Sequence, residues 1–169
     1  MISMAAGEVE PLPPEAERDL VAELARSVLV QAAPEELALF PETAEEYFED
    51  PSALLGSGRR DEALGFGLDV AMLTPYVLAV CVGVVRFLAS TVADAARQES
   101  KPLVTSLVRR LLRQPDAPGE PAGEAPPTLS SEQARQVRDV AYQQAKHLGL
   151  DDDQATLLAN SVIGGLVVG

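Results

Sequence analysis

Apolar residues recur at helical spacing along most of the chain. Leu20, Leu24 and Val28 follow one another every four residues, which predicts an amphipathic helix with Pro14 in its first turn. Prolines then divide the chain into short helical pieces, which we predict at residues 35–40 and 43–50. Because such short pieces are not stable alone, we expect them to dock on the longer helices.

The longest uninterrupted apolar stretch covers residues 70–85 and contains no charged residue. Thr74 followed by Pro75 is typical of an N-cap and a first helical position, so we predict a long apolar helix over residues 75–97. The first half of this helix is apolar on every face, whereas polar residues appear on one side from Arg86 onward. This pattern is typical of a helix that is fully buried at its start and half-buried at its end.

A shorter helix is predicted after the long apolar helix, at residues 102–114. Its apolar residues share one face, and Arg109, Arg110 and Arg113 lie away from that face, which makes it a basic amphipathic helix. Residues 115–128 are dominated by Pro, Gly, Ala and Glu, a composition that predicts an extended linker.

The pattern after the linker predicts a C-terminal helical hairpin over residues 129–169. Ser130 and Gln133 have the spacing of a capping box at the start of its first helix. Gly149 is a candidate left-handed stop for that helix, and the aspartates from Asp151 place negative charge at the start of the last helix. A hairpin of this size is too small to fold alone.

These elements together predict an all-α fold: a helical bundle around one long apolar helix, plus the C-terminal helical hairpin. Residues 1–13 form a flexible N-terminus, and residues 14–114 form the main helical domain. The composition agrees, because only 4% of the 169 residues are aromatic, whereas strands are enriched in aromatic and β-branched residues.

The net charge of -13 narrows the classes of partner. Nucleic-acid binding depends on Lys and Arg at phosphates, so we expect no nucleic-acid partner. The charge is also uneven: residues 1–69 hold 16 acidic and 4 basic residues, whereas residues 86–114 hold 2 and 6. We therefore expect a protein partner, an anionic membrane or both, and a homo-oligomer is also compatible with the pattern.

No residue pattern points to catalysis, so we expect a protein that is not an enzyme. Cys81 lies between valines, and His147 has no neighbouring Cys or His to complete a metal site, so no cofactor or metal is expected. The three consecutive aspartates that begin at Asp151 and end at Asp153 resemble a calcium-binding loop. Thr156 and Val162 occupy the positions where that loop needs glycine and glutamate. We interpret these aspartates as helix caps.

Two functional interpretations of the apolar helix remain open. In the first, the helix inserts into a membrane while the basic helix contacts headgroups. The 19 residues 75–93 would span roughly 28 Å as a helix, which is close to the hydrocarbon thickness of a bilayer. The charge of Arg86 opposes insertion. In the second, the helix is the core of a soluble adaptor that binds another protein through its acidic N-terminal half or its C-terminal hairpin. A bundle that buries the helix and later releases it into a membrane would combine the two interpretations. The candidate membrane or partner contacts are Tyr76, Val80, Val84, Phe87, Arg109, Arg110 and Arg113.

Residues 61–80 and 145–153 carry a resemblance to a known group of proteins. In these two segments the chain resembles small uncharacterised helical proteins encoded near bacterial conflict or defence effectors, and the similarity covers about half of the chain. The resemblance implies an accessory or effector role and brings no active-site residues. The expected location is the cytoplasm, with membrane association left open.

Overall fold

A computed structural model describes residues 12–55, 72–99, 108, 111, 112 and 129–166. Within these ranges the chain forms helices α1 (Pro14–Ala32), α2 (Phe40–Glu49), α3 (Thr74–Glu99), α4 (Ser131–His147) and α5 (Asp152–Gly164), with a 3₁₀ helix at Pro34–Ala38 between α1 and α2. The described part contains no strand; Leu112 and Leu166 form an isolated bridge, and Leu129 is also a bridge residue. The predicted all-α fold is confirmed.

Helix α1 follows its sequence pattern closely. Pro14 occupies its first turn, where the missing N–H is not needed, and Leu20, Leu24 and Val28 are fully buried. The short pieces that follow differ from the prediction: the first is a 3₁₀ helix, and α2 begins at Phe40 because Pro41 fits its first turn and does not interrupt it. Two arginines of α1 stack on aromatic rings of α2, Arg18 on Phe48 at 4.8 Å and Arg26 on Phe40 at 5.4 Å.

Helix α3 is the central element, one helix from Thr74 to Glu99, slightly longer than predicted. It packs against α1, α2 and α4. Its inward face is 0 to 1% exposed and consists of Val77, Leu78, Val80, Cys81, Val84, Val85 and Leu88. Arg86 and Ser90 on its other side are exposed, as predicted. The prediction that the first half is fully buried is wrong, because Ala79 and Val82 are half-buried.

Helices α4 and α5 form the predicted hairpin. Ser130 and Gln133 make a reciprocal capping box at the start of α4, and Asp151 and Gln154 make a second one at the start of α5. Gly149 between the helices has a φ of 91°, the left-handed conformation that glycine adopts without strain. These local signals therefore predicted the hairpin correctly.

The hairpin belongs to the same hydrophobic core as the N-terminal helices. Helix α4 packs on α3 and α5 packs on α1, so α1, α3, α4 and α5 form a closed ring of neighbours, the arrangement of a four-helix bundle. Glycines permit two of these contacts, because a Cβ on Gly83 would lie 3.0 Å from Gln144, and one on Gly165 would lie 3.2 Å from Leu24. Residues from every α helix therefore share one core.

Truncating the inward face of α3 tests this arrangement. We expect Leu78→Ala to lower the free energy of unfolding by about 2 to 5 kcal/mol, because it leaves a cavity at a fully buried position. The matched control is Leu39→Ala, since the side chain of Leu39 is 51% exposed, and we expect a change below about 1 kcal/mol. Urea unfolding followed by circular dichroism measures both, and equal losses would contradict the assignment of α3 to the core.

Candidate interaction surfaces

The predicted contact residues of α3 do not lie together on one accessible face. Val80 and Val84 are buried among the protein's own helices, whereas Tyr76 and Phe87 are half-buried at the edge of the core. In this conformation Val80 and Val84 therefore contact neither a partner nor a membrane.

The predicted basic helix lies largely outside the described residues. Arg109, Arg110 and Arg113 are among those that are not described. Val108 and Leu111 are described, and both are buried in the core, as their place on the apolar face of that helix predicts. Leu112 is buried beside them.

The N-terminus of α3 is capped by a side chain from a distant part of the sequence. Glu36, in the 3₁₀ helix, accepts hydrogen bonds from the backbone N–H groups of Leu73 and Thr74 at 2.7 and 2.8 Å. The Thr74 hydroxyl also donates to this carboxylate, at 2.5 Å. The prediction that Thr74 is the N-cap is therefore wrong, because α3 begins at Thr74 and the Leu73 carbonyl accepts the hydrogen bond from Val77 N–H that opens the helix. A carboxylate is favourable at this positive end of a helix.

Arg86, the first charged residue of α3, also has an acidic partner. Its guanidinium lies 3.0 Å from the Glu17 carboxylate of α1, and both side chains reach solvent. An exposed ion pair of this kind contributes little to stability, so its main effect is on alignment. Because Glu17 lies near the start of α1 and Glu36 just after its end, these two contacts show that α1 and α3 are antiparallel.

One described helix meets the length and composition of a membrane span. The 18 residues Thr74–Thr91 form the qualifying window, and 50% of that window is buried inside the protein. The core helix of a soluble protein meets the same criteria. The apolar character of α3 is therefore compatible with either interpretation of its role.

The outer face of α2 carries an excess of negative charge. Four of its glutamates, Glu42, Glu45, Glu46 and Glu49, are exposed, and no ion pair within the described part of the chain involves them. The inner face holds Phe40 and Tyr47 in the core. The acidic surface is thus fixed on the bundle by the aromatic residues beneath it.

Three large apolar side chains in the described ranges are exposed: Val30, Leu39 and Leu157, at 56, 51 and 44%. None of the three is among the contact residues predicted from the sequence. Because Val30 lies off the apolar stripe of α1, its exposure can be predicted from the sequence. The exposure of Leu39 and Leu157 depends on how the helices pack against one another.

Cys81 and the aspartates at the start of α5 have structural roles. Burial strongly raises the pKa of the Cys81 thiol, which keeps it neutral. Asp151 caps α5, as the sequence predicts, while Asp152 accepts hydrogen bonds from Lys146 and Tyr142 that lower its pKa. His147 is exposed at the end of α4. In the described ranges no group of three or more His, Cys, Asp or Glu side chains is placed to hold a metal ion.

Comparison with known proteins identifies no matching family model, no matching curated protein and no matching solved structure.

Removing the Glu36 carboxylate tests the distant cap. We expect Glu36→Ala to lower the free energy of unfolding by about 1 to 2 kcal/mol, because the N–H groups of Leu73 and Thr74 lose their acceptor. The neighbouring Glu35 is exposed, so Glu35→Ala serves as the control and should change stability by less than about 0.5 kcal/mol. Equal effects in urea unfolding would show that the cap contributes nothing.

The reactivity of Cys81 tests how tightly α3 is enclosed. We expect an aromatic disulfide reagent to label the native protein only as fast as it unfolds, because the thiol is buried and its raised pKa disfavours the thiolate. The unfolded thiol ionises at its ordinary pKa, so the free energy of unfolding should fall as the pH rises above that value. Labelling in native buffer at the rate measured in urea would contradict this account.

Proposed function

We propose that this protein is a non-enzymatic helical module that binds a protein partner and keeps α3 in its core while doing so. The observation that carries the proposal is the inward face of α3, whose seven residues are at most 1% exposed. In this arrangement the most apolar helix is used for folding, and the surfaces left for a partner are those of α1, α2 and the α4–α5 hairpin.

The cost of removing α3 from the bundle favours this function over membrane insertion. Complete burial of one Val or Leu side chain contributes about 1.5 to 3 kcal/mol. In a bilayer α3 would keep its own side chains away from water, but the apolar faces of α1 and α4 that pack against it would lose that cover. A partner that binds the outside of the bundle needs no such rearrangement.

The charge of the outer surface indicates the chemistry of the partner. The exposed glutamates of α2 have no ion-pair partner in the described ranges, and residues 1–69 hold four times as many acidic as basic residues. Complementary charge speeds association and selects among partners. The proposed partner therefore presents a basic surface. We propose the cytoplasm as the place where the two proteins meet. The resemblance to proteins encoded near bacterial conflict effectors makes such an effector the first partner to examine.

Site-specific photo-crosslinking in the cells that produce the protein tests this function. A photoreactive phenylalanine analogue is placed in turn at Glu46 on α2, at Leu39 and at Gln136 on α4, all of which are exposed. The analogue at the buried Leu78 is the control. We expect at least one exposed position to give a protein adduct of discrete mass that the control does not give. Absence of a protein adduct from all three positions would contradict the proposal.

Membrane association is a second candidate, favoured by the 18-residue apolar window of α3. In this function α3 leaves the bundle and inserts, and Arg109, Arg110 and Arg113 contact anionic headgroups. Two carboxylates hold α3 in place, Glu36 at its N-terminus and Glu17 at Arg86. Release of α3 requires both contacts to break.

Flotation with anionic vesicles distinguishes the two functions. If α3 inserts, Glu17→Gln with Glu36→Gln should increase the floating fraction several-fold over that of the unchanged protein. The control, Glu45→Gln with Glu46→Gln, changes the net charge equally but leaves α3 held. If neither variant nor the unchanged protein floats, the membrane function is wrong, and an equal increase in both variants would show a charge effect without insertion.

A further inference from the structure

The three exposed apolar side chains lie at the same end of the bundle. Val30 is in the last turn of α1, and Leu39 follows the 3₁₀ helix that comes directly after α1. Leu157 belongs to α5, one turn before Ser161, whose carbonyl accepts a 3.3 Å hydrogen bond from Gln31 of α1. Gly165 of α5 lies beside Leu24, so α5 is antiparallel to α1 and Leu157 lies at the level where α1 ends.

We call Val30, Leu39 and Leu157 the end surface. Isolated apolar residues on a protein surface are common, whereas exposed apolar residues that are grouped in one region mark interaction sites. The fold does not need them, since α1 and α5 already bury full apolar faces against the core. The end surface also brings the acidic N-terminal half and the C-terminal hairpin together.

The charges around the end surface are predominantly negative. Glu35 and Glu42 flank Leu39 at one helical turn on either side, and Asp153 precedes Leu157 by one turn; all three are exposed. No ion pair within the described part of the chain involves them. Two cations among the described residues near this end are already engaged, because Arg26 stacks on Phe40 and the Lys146 ammonium lies 2.8 Å from Asp152.

His147 adds an exposed imidazole near this end, at the close of α4. One imidazole does not balance three carboxylates. The end surface therefore has an apolar centre and an acidic rim, and a ligand that complements it has an apolar face bordered by positive charge.

We propose that the end surface docks a cationic amphipathic helix of the partner protein. Large aliphatic residues on one face of that helix pack on Val30, Leu39 and Leu157, and its Lys or Arg residues meet the carboxylates of the rim. Helices bind such sites through anchors spaced three or four residues apart. This inference rests on the proposed function and adds the place of binding and the kind of partner.

A synthetic peptide serves as the probe. It contains only Leu and Lys, is about four helical turns long and has all its Leu residues on one face. A second peptide of the same composition, with Leu spread around the helix, is the control. Fluorescence anisotropy of the labelled peptides measures both affinities. We expect the amphipathic peptide to bind about tenfold more tightly than the control. Equal affinities would overturn the proposal.

Variants locate the binding. Val30→Ser, Leu39→Ser and Leu157→Ser together should weaken binding of the amphipathic peptide about tenfold, and Leu39→Ser alone about threefold. Thermal unfolding of each variant is measured in parallel, and if the triple variant is unfolded, the single variant decides. Undiminished binding by a folded variant would overturn the proposal.

Charge variants separate the rim from general attraction. Glu35→Gln, Glu42→Gln and Asp153→Asn remove three charges at the end surface, whereas Glu45→Gln, Glu46→Gln and Glu49→Gln remove three from the rest of α2. We expect the first set to weaken binding at least about threefold more than the second. Equal weakening would overturn the proposal by showing attraction without a site.

Two outcomes distinguish this inference from the proposed function. If a protein adduct forms at Glu46 or Gln136 and the peptide tests fail, the proposed function stands and the end surface is wrong. If the serine variants reduce flotation with anionic vesicles but leave peptide affinity unchanged, the end surface binds lipid, and the assignment of a protein partner is overturned.

Discussion

Burial of α3 is the constraint on which the other contacts depend. This helix has an almost uncharged first half, and water is excluded from its inward face by α1, α2 and α4. Because α5 completes the ring by packing on α1, the hairpin and the N-terminal helices are parts of one core. Apolar burial thus explains how a chain with a net charge of -13 folds around a membrane-like segment.

Acidic residues of the N-terminal half align this apolar core. Glu36 accepts hydrogen bonds at the first turn of α3, and Glu17 pairs with Arg86 three turns further along. Both contacts join α3 to the region of α1, so they specify the antiparallel register that non-directional apolar packing leaves open. The exposed acids of α2 take no part in this alignment and remain available to a partner.

Local signals were enough to predict much of the fold. The spacing in α1, the caps at Ser130 and Asp151, and the stop at Gly149 each depend on neighbours within a few residues, and all of them were correct. The cap from Glu36 joins groups 37 residues apart, which no local pattern encodes. For the same reason the end surface was missed, because the exposure of its residues depends on the packing of helices distant in sequence.

We conclude that α3 is the core helix of the bundle and is buried there without lipid. Hydrogen exchange of its backbone amides, resolved by residue in buffer without detergent or lipid, tests this directly. The account predicts that the amides from Val77 to Leu88 exchange among the slowest in the protein, at rates set by global unfolding. Rapid exchange of these amides in buffer, with protection appearing only when anionic vesicles are added, would contradict it.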